Sequence, residues 1–336
     1  MSDPTDTARS ATPDAARWPP RVVVGVDGSP GSRAALVYAF IAAARRGVDL
    51  EVVSTYSMQT VWIGGYPLGV PAVATIRQEA EARVSALVDE VRADEAVRAV
   101  PGTADVATVV VVSVGPAAHV LVEASAAADL VVVGSRGRGA VRSAILGSVA
   151  LHCVSHARCP VLVVHPVAAG HARDRTVIVG IDGSDASRAA LRAGVVEAAR
   201  LGTDVAAVTT YEMDDAWMDL STVMVPTADE VRGELTRGAE SMLKEVLADF
   251  RADSGGPVPD ARVVVAEGPA ADILIHWAAD AALLVVGSRG HGEFRGPLVG
   301  SVALACAMHA PGPVLVVHPQ PDQAPVRAAQ PAAAGA

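Results

Sequence analysis

The chain has 336 residues, 51% of them hydrophobic and 19% charged, which suits two domains with cores of their own and excludes a wholly disordered polypeptide. Its formal net charge of −10 argues against general nucleic-acid binding. Three cysteines, Cys153, Cys159 and Cys306, are too few for a disulfide framework, and with 3% aromatics the cores must be built from Val, Ala, Leu and Ile.

Residues 1–19 are polar, rich in Asp, Pro and Thr, and do not read as a secretory signal. They are expected to form a disordered tail. The first β-branched run, Arg21–Val26, predicts a strand, and Ser29 then caps a helix reaching about Arg46. Glu51–Thr55 predicts the second strand and Thr75–Asp94 a charged amphipathic helix. Thr108–Val114 is the third strand. Pro116–Ala127 follows as a helix with proline near its first turn, where a missing N–H costs nothing. Leu130–Gly134 is the fourth strand, a glycine-rich loop leads to a helix at about Ser148–His156, and Val161–His165 closes the unit. Val106–Val122 and Gly296–Pro321 lack formal charge, but Gly and Pro interrupt them before an apolar span of about 20 residues can form. A soluble, cytoplasmic protein is expected.

The whole pattern is then written again. Asp27-Gly28-Ser29 recurs as Asp182-Gly183-Ser184, 155 residues later, and Tyr56, Met58, Trp62 and Pro71 recur as Tyr211, Met213, Trp217 and Pro226. Beyond Pro71 the offset is 153: Gly134-Ser135-Arg136-Gly137 returns as Gly287-Ser288-Arg289-Gly290, and Gly147-Ser148-Val149 as Gly300-Ser301-Val302. A period this long duplicates a domain rather than a solenoid unit. The domains are placed at 20–167 and 174–320, with a second disordered tail at 321–336. Near-continuous Val/Leu/Ile strands separated by helices predict, in each, an α/β doubly wound five-stranded parallel sheet, Rossmann-like, of order 3-2-1-4-5. The last strands, Val161–His165 and Val314–His318, either pair with each other or leave an edge for another subunit.

Two elements carry chemistry. Glycines directly after the fourth strand allow backbone N–H groups to approach an anion, and Gly147-Ser148, separated from Gly137 by nine residues, opens a helix whose first N–H groups are unpaired. A plain turn with a serine helix cap is the bland alternative. Asp27 and Asp182 follow the first strand of each unit. With order 3-2-1-4-5 the switch point lies between strands 1 and 4, so each Asp faces the glycine loop of its own unit across one crevice. A carboxylate there can accept ribose hydroxyls, help hold a divalent cation, or simply cap the next helix.

The Val-Asp-Gly-Ser turn, the Gly-x2-Gly-x9-Gly-Ser spacing and the closing Cys-Pro-Val-Leu-Val-Val at 159–164 resemble the universal stress protein family, over nearly all of residues 20–320. The tandem layout is similar to its actinobacterial two-domain members. The resemblance implies an ATP-binding α/β domain, with Mg²⁺ accompanying ATP near Asp27 and Asp182. For the first domain it implies Asp27 at the adenosine end and Gly134, Gly137, Gly147 and Ser148 at the phosphates and ribose; the candidate cofactor-binding set also takes in Gly25, Ser135, Gly139, Val149 and the loop arginines Arg136, Arg138 and Arg142, which read equally as a solvated rim. For the second it implies Asp182, Gly287, Gly290, Gly300 and Ser301 in the same roles; the candidate set also takes in Gly180, Ser288, Gly292 and Val302, with Arg289, His291 and Arg295 departing from the first loop's three arginines. It further implies a homodimer formed through the last strand, a regulatory protein partner, and roles in stress adaptation, dormancy or growth control. Glu293 departs from the pattern and would repel phosphate if it faced inward.

Dedicated ATP enzymes fit poorly. There is no Gly-x4-Gly-Lys-Ser/Thr loop, and Lys244, the only lysine, lies outside the glycine loops. No catalytic residue is assigned. Three readings remain: a nucleotide-dependent regulatory module, a slow ATPase, and a nucleotide-free scaffold. Loss of binding in Gly134→Glu with an intact fold is expected to separate the first from the third. Trp62, Trp217, Met58 and Met213 read as a lid over the nucleotide or as a cover for the domain junction or the dimer surface. His152, His156, Cys153 and Cys159 have no counterpart set in the second copy and are not read as a metal site.

Overall fold

A computed structural model describes residues 19–56, 62–63, 66–67, 73–137, 146–166, 176–213, 227–254, 256–290 and 299–319. The elements of the first half are β1 (Arg21–Gly25), α1 (Pro30–Arg46), β2 (Asp49–Tyr56), β3 (Trp62–Ile63), β4 (Tyr66–Pro67), α2 (Val73–Arg92), α3 (Glu95–Arg98), β5 (Thr108–Val114), α4 (Ala117–Ala124), β6 (Leu130–Gly134), α5 (Ser148–His156) and β7 (Val161–Val164). Those of the second half are β8 (Thr176–Gly180), α6 (Asp185–Leu201), β9 (Asp204–Tyr211), α7 (Ala228–Ser254), β10 (Ala261–Glu267), α8 (Ala270–Trp277), β11 (Leu283–Gly287), α9 (Ser301–His309) and β12 (Val314–Val317). Ser29 caps α1 as its sequence predicts: its Oγ accepts from the Ser32 N–H at 3.2 Å, and Ser184 does the same for Ser187. The short helix α3 and the two-residue hairpin β3–β4 have no predicted counterpart.

The main sheet runs β10-β9-β8-β11-β12-β7-β6-β1-β2-β5. Each half therefore has the expected order 3-2-1-4-5 with parallel neighbours. The two last strands pair with each other, antiparallel, Val161 opposite Val316 and Val163 opposite Val314. Last-strand pairing is thus satisfied within one chain, so the subunit contact implied through that strand has no free edge to use. The alternation along each strand feeds two cores. Val22, Val24, Leu130, Val132 and Leu162 pack beneath α1 and α2, while Val23, Val131, Val133, Val161 and Val163 pack beneath α4 and α5. Both clusters continue across the β7–β12 seam into the second half.

Side chains also cross the seam. Arg46 of α1 donates to Glu197 of α6 at 2.6 Å. The His165 ring nitrogens lie 3.0 and 3.1 Å from the carbonyl oxygens of Gly312 and Ala307. His318 donates from Nε2 to the Val154 carbonyl at 2.8 Å. Burial, with a smaller push from Arg289, lowers the His318 pKa below its usual value, so the folded chain holds this ring neutral. The unfolded chain then binds the extra proton first. Stability from this group is complete above its ordinary pKa of about 6.5 and is lost as pH falls through and below that value. Melting temperatures followed from about pH 7.5 to 5.5 are expected to fall more steeply for the wild type than for His318→Gln, in which this titration is absent.

Candidate functional site

The carboxyl ends of β1 and β6 flank the switch point of the first half, and those of β8 and β11 flank it in the second. Asp27 leaves β1 in a tight turn, its Oδ1 accepting from the Ser29 N–H at 2.9 Å. Asp182 repeats this with the Ser184 N–H at 3.0 Å and the Ser184 hydroxyl at 2.6 Å. The other carboxylate oxygen lies against the glycine loop. A Cβ built on Gly137 would stand 2.6 Å from Asp27 Oδ2, and one on Gly290 would stand 2.5 Å from Asp182 Oδ2. Only glycine lets the loop come this close to the carboxylate, and both halves have it.

The glycine at the strand end has a different duty. A Cβ on Gly134 would sit 2.7 Å from the Gly31 carbonyl carbon and oxygen, and one on Gly287 would sit 2.8 Å from those of Ala186. Their missing side chains let the fourth strand abut the first turn of α1 or α6. Gly134→Glu therefore drives a side chain into backbone, and it does not serve as a fold-neutral probe of binding. Gly25 and Gly180 lie in the same way over Leu121 and Leu274.

Beyond the loop the chain turns back on itself. Gly147 N–H donates to the Ser135 carbonyl, and Gly300 N–H to that of Ser288, each at 2.8 Å. Gly147 and Gly300 then occupy the N-cap positions of α5 and α9 without any side-chain cap. The first helical bonds start only at Leu151 and Leu304, so the N–H groups of the first turn point out of the helix end. Ser135 and Ser288 are buried, and their own N–H groups donate to the last strand at Val164 and Val317, both at 2.7 Å.

In the second half these parts enclose a cavity of about 660 Å³. Gly180, Asp182, Gly287, Arg289, Gly290, Gly300, Ser301 and Val302 line it. Ser288, buried behind the loop, does not. The wall also contains Val208, Thr209 and Thr210 at the end of β9, with Leu235, Leu274 and Val299. Neither the two threonines nor this apolar wall is among the residues singled out from the sequence. Arg136 is half-buried at the matching place in the first half. Arg138, Gly139, Arg142, His291, Gly292, Glu293 and Arg295 lie outside the described residues, as do Met58, Trp217 and the Trp62 side chain.

Among the described residues no group of three His, Cys, Asp or Glu is arranged to hold a metal ion. His152 and His156 stack on the exposed face of α5, 4.3 Å between ring centroids, while Cys153 and Cys159 are buried. Burial pushes all three thiols up to about 12, which keeps them protonated. No described helix is long and apolar enough to cross a membrane.

Fold and site together define a duplicated doubly wound α/β protein with a carboxylate facing a glycine loop and an uncapped helix at each switch point. The sequence profile of the universal stress protein family matches residues 20–165 and 175–318, and the chain belongs to that family. It is 37% identical over 298 residues to the universal stress protein Rv2005c of Mycobacterium tuberculosis, covering 88% of this chain and 96% of that one. It is 33% identical over 302 residues to Rv2623 of the same organism, covering 88% and 95%. The crystal structure of a universal stress protein from Archaeoglobus fulgidus shares the fold, with a TM-score of 0.60 and 18% identity, covering 90% of this chain and all of that one.

Proposed function

We propose that this chain is an ATP-binding regulatory module, whose occupancy a protein partner reads during stress adaptation, dormancy or growth control. The domains at 20–167 and 174–320 each hold one nucleotide in this reading. The observation that carries it is the 660 Å³ cavity of the second half, which is of a size usual for small-ligand sites. Its donors suit a polyphosphate: the uncapped N–H groups of α9 and the Arg289 guanidinium belong to residues that line it. Val208, Leu235 and Leu274 add apolar lining suited to a base, and Thr209 and Thr210 line the cavity as well. The residues also fit Mg²⁺, which keeps several waters and needs few protein ligands; Asp182, and Asp27 in the first half, would supply a carboxylate. The bound ion would neutralise phosphate charge.

The first-half set occupies matching positions: Asp27 against Gly137, and Gly147-Ser148-Val149 at the uncapped start of α5. In this reading the described residues bind the nucleotide and do not turn it over. Cytoplasmic residence accompanies this reading. Denaturing the purified protein and separating any released nucleotide by chromatography tests it. About two ATP per chain is the expected result for two binding sites. Released ADP would instead assign turnover. No nucleotide, together with no binding of added Mg²⁺-ATP at millimolar concentration, would leave a scaffold.

A further inference from the structure

With β7 and β12 paired to each other, the main sheet ends at β5 on one side and β10 on the other. These two edge strands are repeat partners, and they differ where exposure is greatest. Val109 and Val114 of β5 are 55% and 54% exposed, the two most exposed large apolar side chains among the described residues. Their counterparts in β10, 153 residues later, are Arg262 and Glu267. Charged residues on an edge strand discourage pairing with another strand, because pairing would desolvate them. The second half carries that protection and the first half has valine at both positions. All seven residues of β5, TVVVVSV, are uncharged and six are β-branched.

The hydrogen-bonding groups of β5 that meet no strand among the described residues can be phased. Leu50 N–H donates to the Ala107 carbonyl and Gly115 N–H to the Tyr56 carbonyl, so the odd-numbered residues of β5 direct their backbone groups toward β2. Thr108, Val110, Val112 and Val114 therefore direct theirs outward. An antiparallel copy of the same strand related by a two-fold axis at Val111 sets Val110 opposite Val112 and Thr108 opposite Val114. Every outward N–H and C=O then meets a partner. The remaining pairs, Val109 with Ser113 and Val111 with its own copy, fall in the non-hydrogen-bonded positions where side chains come closest.

We infer that β5 is a self-pairing edge, through which two copies of this chain join their ten-stranded sheets about a two-fold axis. A second copy is the occupant because the strand is complementary to itself in hydrogen-bond phase and side-chain class. Along β5 itself, which has no charged residue from Thr108 to Val114, two copies meet without opposing like charges. This contact is independent of nucleotide binding, and neither result decides the other.

Sedimentation equilibrium of the full chain is expected to give twice its 34.2 kDa mass. Val109→Arg with Val114→Glu installs the charges of β10 at exposed positions and is expected to give the single-chain mass with an unchanged circular dichroism spectrum. In a third protein, Val111→Cys, the two substituted positions face each other about 4.5 Å apart at Cα, within reach of a disulfide. Mild oxidation is expected to yield a linked dimer on a non-reducing gel. The native cysteines are buried and do not compete. A single-chain mass for the unaltered protein overturns the inference. So does a dimer indifferent to the two charges, or one in which Val111→Cys forms no link. If the charged variant fails to fold, the Val111→Cys link alone decides.

Discussion

Glu197→Ala is expected to lower folding stability by about 3–5 kcal/mol, the cost of leaving a buried charge without its partner. Arg46 reaches across from α1 into α6 with its side chain only 8% exposed. Burial lowers the pKa of that guanidinium, and Glu197 is the first of the groups that oppose the effect. The same carboxylate accepts from Arg200 at 2.7 Å. Its removal would leave Arg46 with the Ala42 carbonyl at 3.3 Å and a like charge at Arg200 close by. The more distant Asp129 contributes least, and its own carboxyl is pushed up by burial. Replacing both partners, Arg46→Met with Glu197→Leu, removes the buried charge along with its counterion and is expected to restore most of the stability. Urea unfolding of the three proteins checks this. Equal midpoints for wild type and Glu197→Ala would show that water reaches the pair freely.

The Arg46–Glu197 contact also marks where sequence reading stops. Repetition in the chain makes elements legible: a valine run, Ser29 before an alanine-rich stretch and Gly47 after it suffice for β1 and α1, because capping and periodicity are local. The same repetition finds the site's polar members, since Asp27 with Gly137 and Asp182 with Gly290 recur at fixed offsets and the topology rule joins them. It is silent on Arg46 and Glu197, whose counterparts are Leu201 and Ala42, so neither repeats. The β7–β12 pairing depends on which of two allowed partners a valine strand takes, and nothing in Val161–Val164 states it. Gly134 is a third case. A glycine after a strand reads equally as a phosphate contact or as a gap for another backbone. Only the 2.7 Å approach of Gly31 shows that packing requires it. The cavity wall of Leu235 and Leu274 was hidden for a related reason, because amphipathic spacing says that these leucines turn inward but not that one end of their layer stays unfilled.

The largest functional effect is expected from Ser148→Asp combined with Ser301→Asp, which should weaken Mg²⁺-ATP binding at least about 100-fold, or about 2.7 kcal/mol per site. Both serines are exposed first residues of uncapped nine-residue helices, α5 and α9, and Ser301 lines the cavity. A carboxylate there takes up the first-turn N–H groups and places a like charge where the proposed phosphates lie. The two consequences for the protein have opposite signs. The ligand is repelled, while an acidic group at a helix N-terminus stabilises the helix by about 0.3–1 kcal/mol. The variant should therefore lose nucleotide affinity while its melting temperature, measured without nucleotide, stays level or rises. That separates lost binding from lost folding in a way that substitutions at Gly134 or Gly287 cannot, since those drive atoms into backbone. Isothermal titration with Mg²⁺-ATP and a ligand-free melt on the same preparation give both numbers. Unchanged affinity would remove the helix ends from the site, and a lowered melt would show that the serines cap the helix after all.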